Sequence, residues 1–442
     1  MKLDWKKTFM IGFGFLGISA LWQIYNAFVP IFLQTGHPGF ASSREILGFG
    51  LSASATGAIM GIDNLAAIFI LPMIGIWSDR IRTPIGRRYP FILTAAPLAA
   101  LAFIAMPIAA GLIKPELNGT IAGNTGAFSL FMVATAVVLL AMAILRTPVI
   151  SLMPDLIPSP LRSKANGVIN FMGGVGFIIG AFGLALLFDI KPIYPFIGGS
   201  AILILAVVLL YTTTKEPAVD DLSHPEEHLQ SEEEQAVGAL KGVSVIPTKY
   251  RKSLFALLAA IFLLFVGYEG IGTFFTSYAV NELGVSEGFA PTLFGLAGVT
   301  FILFTIPAGF IGAKFGRRKT IIAGILLFGI DMLLGFFVTN STQVGFVLAI
   351  SGIGWALINV NTLPMVIDTP EDGRLLGTYT GLYYLASQVG AAIAPLMMGT
   401  VIDLFGSNFK TIFLTGPAFF VLGLIAMTMV TRGEAHVKEP AV

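Results

Sequence analysis

The sequence predicts an all-α integral membrane protein, with twelve transmembrane helices in two pseudo-symmetric six-helix bundles. Three observations carry this expectation. Of 442 residues, 55% are hydrophobic and 12% charged, with a mean hydropathy of +0.85, whereas a soluble chain carries roughly 25% charged residues. Charges and turn residues divide the chain into twelve apolar segments, each as long as the ~20 residues a span needs. With both termini inside, 21 of the 26 basic residues fall on one side and four on the other, the remaining one lying in a span; such a bias sets orientation. So few charges cannot cover a soluble surface, which excludes a soluble enzyme or a nucleic-acid binder. A net charge of +1 offers nothing to a polyanion.

Taken in order, the first span (8–33) follows Lys2, Lys6 and Lys7 like a signal sequence. It is too long and lacks a small-residue cleavage site, so it is expected to stay as a span. Segments near 46–77, 90–113, 127–154, 163–188 and 192–213 complete a first bundle, residues 1–213. Residues 214–250 are polar and made acidic by Asp220, Asp221, Glu226, Glu227, Glu232, Glu233 and Glu234, as expected of a cytoplasmic linker. The second bundle, 251–442, holds segments near 252–281, 288–313, 319–339, 343–367, 374–402 and 410–431, with a short cytoplasmic tail. No charge separates the ninth from the tenth, and Asn340, Ser341, Thr342 and Gln343 supply the turn. The expected setting is a prokaryotic inner membrane. Zero cysteines exclude disulfides and thiolate sites, the four histidines lie outside the spans, and no metal or cofactor is expected.

An internal repeat supports two related halves. Gly75 and Gly86-Arg87-Arg88 follow the second span, and Gly309 and Gly316-Arg317-Arg318 follow the eighth. Asp155 ends the fourth span and Asp368 the tenth. Repeated halves are a hallmark of secondary transporters, with the substrate site between them.

The segment Gly75-Ile-Trp-Ser-Asp79-Arg80 through Gly86-Arg87-Arg88-Tyr-Pro90-Phe91 resembles the loop between spans two and three of major facilitator superfamily transporters. Its four extra residues before Gly86, Gly354-Trp355-Ala356 with Pro364, and Pro148 through Asp155 are similar to the plant sucrose–proton symporters with their bacterial relatives. They are also similar to the wider glycoside–pentoside–hexuronide cation symporters. The resemblance implies the major facilitator fold and a small-molecule sugar substrate moved by alternating access. It also implies a gate in which Asp79 faces a neighbouring helix N-terminus. Gly75 allows close helix approach; Arg80 adds charge at the span end. Arg87 and Arg88 are expected to pair with Asp155, and Arg317 and Arg318 with Asp368. Ala313 stands where the first copy has Asp79, so the two copies should differ in strength.

Four charged residues fall within spans: Asp63, Arg146, Glu269 and Asp331. A charge at the bilayer centre costs at least ~2.5–3.5 kcal/mol, so each is a candidate for proton coupling. The resemblance places spans one, four, seven and ten along the cavity, which favours Arg146 and Glu269 and makes Asp331 the most structural of the four. Sodium is the less favoured ion: residues 67–71, before Pro72, are all apolar, whereas melibiose-permease-like relatives carry acids there, and hard cations need several oxygens. Sugar binding combines polar groups with aromatic faces. Candidates are Trp22, Gln23 and Asn26 in the first span, Tyr268 in the seventh, Trp355 and Asn359 in the tenth, and Tyr383 in the eleventh; Asn361 is a further polar residue of the tenth. The expected function is proton-coupled symport of a di- or oligosaccharide by a monomer in the lipid bilayer. Alternatives are a lysolipid or drug transporter of the same fold and a sodium-coupled sugar symporter. A membrane-embedded enzyme and a non-transporting sensor have less support.

Overall fold

The computed structural model describes residues 4–42, 46–157, 161–216, 246–370 and 376–434. Twelve long helices account for nearly all of them, and no strand occurs among the described residues. They are α1 (Trp5–Gln34), α2 (Ala53–Arg80), α3 (Tyr89–Gly111), α4 (Thr125–Leu156), α5 (Arg162–Ile178) and α6 (Tyr194–Thr213). The second set is α7 (Thr248–Leu283), α8 (Ala290–Phe315), α9 (Arg317–Gly335), α10 (Ser341–Ile367), α11 (Leu376–Leu404) and α12 (Ile412–Thr428). Ten stretches of described residues are long and apolar enough to cross a membrane. The other two helices are α2, whose side chains are described only in part, and α9, whose 19 residues begin with Arg317, Arg318 and Lys319.

Local sequence sets several ends. Asp4 accepts a hydrogen bond from the Lys7 amide, capping α1. Asn340 accepts from the Gln343 amide and starts α10, so the uncharged turn between the ninth and tenth spans is an N-cap. The fifth span is not one continuous α-helix, as the sequence suggested. After Ile178 it widens into a π-turn (Ile179–Leu184) and then tightens into a 3-10 segment (Ala185–Asp189). This stretch contains Gly180 and Gly183, and glycine weakens the regular helix.

The chain forms two compact units that exchange short segments. The first comprises residues 1–51, 69–231 and 284–295; the second comprises 52–68, 232–283 and 296–442. Helix α2 thus gives its first part to the second unit, and α8 gives its first turns to the first. In the first unit α1 packs on α5 and α6, and α3 packs on α4 and α6. In the second, α7 packs on α11 and α12, and α9 on α10 and α12. The pairs match helix for helix, as the internal repeat requires. Glycines permit these approaches: a Cβ on Gly176 of α5 would lie 2.2 Å from the Leu16 carbonyl oxygen of α1. On α8, Leu303, Ile306 and Phe310 are 65–73% exposed, an outward apolar stripe suited to lipid.

Candidate functional site

The charged loop of the first unit is built on Gly86, whose φ of 106° is open to glycine and strained for other residues. The turn presents Arg87 and Arg88 together to α4. Arg87 Nη2 lies 2.6 Å from one oxygen of Asp155, and Arg88 Nε lies 3.0 Å from the other. Arg88 also donates through Nη1 to Ser78 Oγ at 2.5 Å. Its side chain is 2% exposed and Asp155's is 8%. Two guanidinium groups therefore converge on one buried carboxylate, with the planar geometry that makes such pairs strong.

A second acid completes the arrangement. Glu216, just beyond α6, accepts the Arg88 amide at 3.0 and 3.2 Å and lies 3.8 Å from Arg87 Nε. A Cβ on Gly86 would come within 2.0 Å of the Glu216 carboxylate, so glycine is needed both for the turn and for the approach of this acid. Burial pushes the Glu216 carboxyl above the usual carboxylate range, although the Arg88 and Arg87 amides pull it down. The neighbouring Tyr89 hydroxyl donates to the Thr214 carbonyl at 2.6 Å, tying the start of α3 to the end of α6.

The second unit repeats the design with looser contacts. Gly316 has φ 94°, and Arg317 Nη1 reaches Asp368 at 2.5 Å. Glu434, beyond α12, accepts the Arg317 and Arg318 amides at 2.7 and 3.0 Å, as Glu216 accepts that of Arg88. The expected pairing of Arg318 with Asp368 is corrected. Arg318 instead donates to the Met427 and Thr428 carbonyls at 3.3 and 3.0 Å. These carbonyls lie at the C-terminal end of α12, where a cation is well placed. Asp368 holds one guanidinium where Asp155 holds two, and its side chain is 37% exposed.

Of the charges within spans, Arg146 is half-buried on α4 in the first unit, and Glu269 is half-buried on α7 in the second. Asp331 on α9 is 5% exposed, and its Oδ2 has no hydrogen-bond partner among the described residues. The helices packed on α9, α10 and α12, carry no charged residue. Asp63 and Asp79 lie on α2, but their side chains fall outside the described residues. Gly75 is buried on the same helix and Arg80 is exposed at its end.

On α1, Trp22 is half-buried, Gln23 is 7% exposed and Asn26 is exposed. Gln23 packs on the π-turn of α5, where a Cβ on Gly180 would meet its side chain at 2.8 Å. In the second unit Tyr268 and Trp355 stack with centroids 3.9 Å apart and planes 4° apart, and Phe265 meets Trp355 edge-on at 5.2 Å. Trp355 is 4% exposed, so its face toward Tyr268 is already covered. Asn359 is half-buried, and Tyr383 is buried beside Tyr384. Asn361 donates to the Ala308 and Leu357 carbonyls and fills the space over Gly312, which makes it a link between α8 and α10. Sequence reasoning missed Glu216 and Glu434; their common place three to six residues beyond the last helix of each half was the available signal.

The long apolar helices mark a multi-pass integral membrane protein, and its match to a family of transporters sets its class. The sequence pattern of the Major Facilitator Superfamily matches residues 11–302 and 257–441, and the chain belongs to that family. It is 24% identical over 426 residues to the class E tetracycline resistance protein of Escherichia coli, covering 93% of this chain and 96% of that protein. It is 28% identical over 278 residues to the cis,cis-muconate transport protein of Acinetobacter baylyi, covering 62% and 66%. A sialic acid transporter of Escherichia coli is 26% identical over 286 residues, covering 63% and 66%. In fold, it is similar to the nucleoside transporter NupG (TM-score 0.69, 12% identity, covering 97% and 99%) and to a peptide transporter (TM-score 0.71, 14%, covering 97% and 95%).

The burial difference between the two charged loops has a measurable consequence. Asp155→Ala removes the carboxylate that two buried guanidinium groups share and should destabilise the protein by about 3–5 kcal/mol, whereas Asp368→Ala should cost no more than about 1 kcal/mol. Denaturant unfolding in detergent micelles reads both; equal losses would contradict the assignment.

Proposed function

We propose that the chain is a proton-coupled symporter of a di- or oligosaccharide such as sucrose, maltose or a related glucoside. It works as a monomer in a prokaryotic inner membrane with both termini cytoplasmic. The observation that carries the sugar reading is on α1, where an exposed amide, Asn26, sits one turn from a half-buried indole, Trp22. An exposed amide gains nothing from lipid, and amide plus ring is what a sugar's hydroxyls and C–H face require. Gln23, Tyr268, Trp355, Asn359 and Tyr383 complete the proposed binding set. The similarity of residues 75–92 to sucrose–proton symporters supports the same substrate class.

Glu269, Asp63, Asp331 and Arg146 form the proposed coupling set. A carboxyl that gains and loses an ionic partner during the cycle changes its proton affinity, which links proton movement to substrate movement. The halves 1–213 and 251–442 rock about the site. Gly75, Asp79, Arg80, Gly86, Arg87, Arg88, Asp155, Arg317, Arg318 and Asp368 hold the cytoplasmic face shut while the other opens.

A second reading, transport of an organic anion, is favoured by Arg146 within a span and by relatives named for muconate and sialic acid transport. One experiment separates the readings. In proteoliposomes with an internal pH dye, sucrose, maltose, cis,cis-muconate and sialic acid are added in turn. A pH change with a sugar, lost in Glu269→Gln, is expected. A response to the anions alone would replace the sugar reading with the second, and a sugar response unaffected by Glu269→Gln would remove that residue from the coupling set.

A further inference from the structure

The break in the fifth span leaves backbone groups that the helix itself does not use. The Ala185 amide bonds the Gly180 carbonyl, five residues back. The 3-10 segment then starts from the Leu184 carbonyl, which takes the amide three residues on, that of Leu187. Between these two bonds lie the carbonyls of Ala181, Phe182 and Gly183 and a single amide, that of Leu186. Two of the three carbonyls therefore have no helical amide of their own. They sit within an apolar span, Ala165–Asp189. Irregular backbone is tolerated at such depth only where it is buried in protein or lines a polar cavity.

Polar side chains of α1 run to the same place. Ser19, Gln23 and Asn26 share one face of that helix by spacing, and the glycines of the fifth span draw it close. A Cβ on Gly173 would have Ser19 Oγ at 3.3 Å, and one on Gly180 would meet the Gln23 Cβ at 2.8 Å and the Ala20 carbonyl oxygen at 3.2 Å. Gln23 is thus fixed against the first half of the π-turn. It is 7% exposed, and no hydrogen bond joins its amide to another described residue. Beyond it the surroundings open: Asn26 and Gly183 are exposed, and a Cβ on Gly183 would meet nothing within 4 Å. Both helices belong to the first unit.

A carbonyl can only accept, so this backbone calls for donors. The Gln23 amide also needs an acceptor for its N–H groups. A hydroxyl supplies both roles, whereas an ammonium supplies donors alone. We propose that the carbonyls of residues 181–183 and the Gln23 amide form a subsite that recognises neighbouring hydroxyls of the substrate as hydrogen-bond donors. The inference rests on the reading of Gln23 as a substrate contact. It adds a backbone partner to that side chain, and a demand on the substrate that side chains alone do not make.

Replacing a substrate hydroxyl by fluorine tests that demand, because fluorine cannot donate. Equilibrium exchange in proteoliposomes, which needs no ion gradient, gives half-saturating concentrations for sucrose, maltose, sialic acid and cis,cis-muconate. The polyhydroxy solute exchanged best is then compared with its single-fluorine analogues. At two neighbouring positions the replacement should raise half-saturation about five- to tenfold. Alanine favours the regular helix over glycine by about two- to fivefold in an equilibrium. Gly183→Ala should therefore weaken the hydroxylated solute by that factor, leave the fluorine analogues unchanged, and so shrink the discrimination. Gly167→Ala makes the same exchange in open space on the regular part of α5 and should change neither. Gln23→Leu keeps the packing over Gly180 and should weaken the hydroxylated solute about fivefold.

The outcomes separate this inference from the sugar reading. Sugar exchange with no fluorine penalty, or with a penalty unaltered by Gly183→Ala, rejects the subsite and keeps the sugar. Exchange of sialic acid alone, with the penalty and its reduction, keeps the subsite and replaces the sugar. Exchange of muconate alone, which has no hydroxyl donor at neutral pH, or of none of the four, overturns both.

Discussion

Two arginines closing on one buried carboxylate form the contact around which the first unit is arranged. Hydrocarbon admits charge only at a cost of several kcal/mol, so ionic groups in this chain collect where helices end. There they meet the unsatisfied amides and carbonyls that every helix leaves at its termini. Asp155 takes the side chains of Arg87 and Arg88, and Glu216 takes the backbone of the same turn. This fixes the ends of α2, α4 and α6 and the start of α3 relative to one another. Only a glycine at position 86 leaves space for that convergence. Geometry and sequence thus constrain each other at a single residue.

The internal repeat shows how one design takes two strengths. Gly316, Arg317, Asp368 and Glu434 reproduce the arrangement of Gly86, Arg87, Asp155 and Glu216. Arg318, however, turns to the last carbonyls of α12 and leaves Asp368 with one partner. The second loop is therefore more exposed and more weakly held. The difference follows from one redirected side chain.

Much of the fold was legible in the sequence because a bilayer reduces helix recognition to length, hydropathy and the sorting of basic residues. The twelve helices fall within a few residues of the apolar segments, and the uncharged turn at Asn340 could be read from its turn-forming residues. Of the charged loops, Arg87, Arg88 and Asp155 could be paired because each occupied an obvious end of a span. Glu216 and Glu434 could not be paired that way, since backbone amides as partners leave no residue pattern. The π-turn at 179–184 was hidden because an added residue per turn does not alter hydropathy. Trp355 looked available on the grounds of composition; its stacking on Tyr268 depends on how α7 meets α10, which no single segment encodes. Asn361 was likewise indistinguishable from Asn359 until the close approach of Gly312 showed which of the two joins helices.

The claim that the buried carboxylate organises these helix ends is tested most directly by a double-mutant cycle between Arg88 and Asp155. Unfolding free energies of Arg88→Ala, Asp155→Ala and the double variant are compared with the parent in one detergent. Residues acting through one network show coupling of 0.5–3 kcal/mol, and the account predicts about 2 kcal/mol or more, with the double variant scarcely worse than Asp155→Ala alone. Additive losses, with coupling near zero, would contradict it.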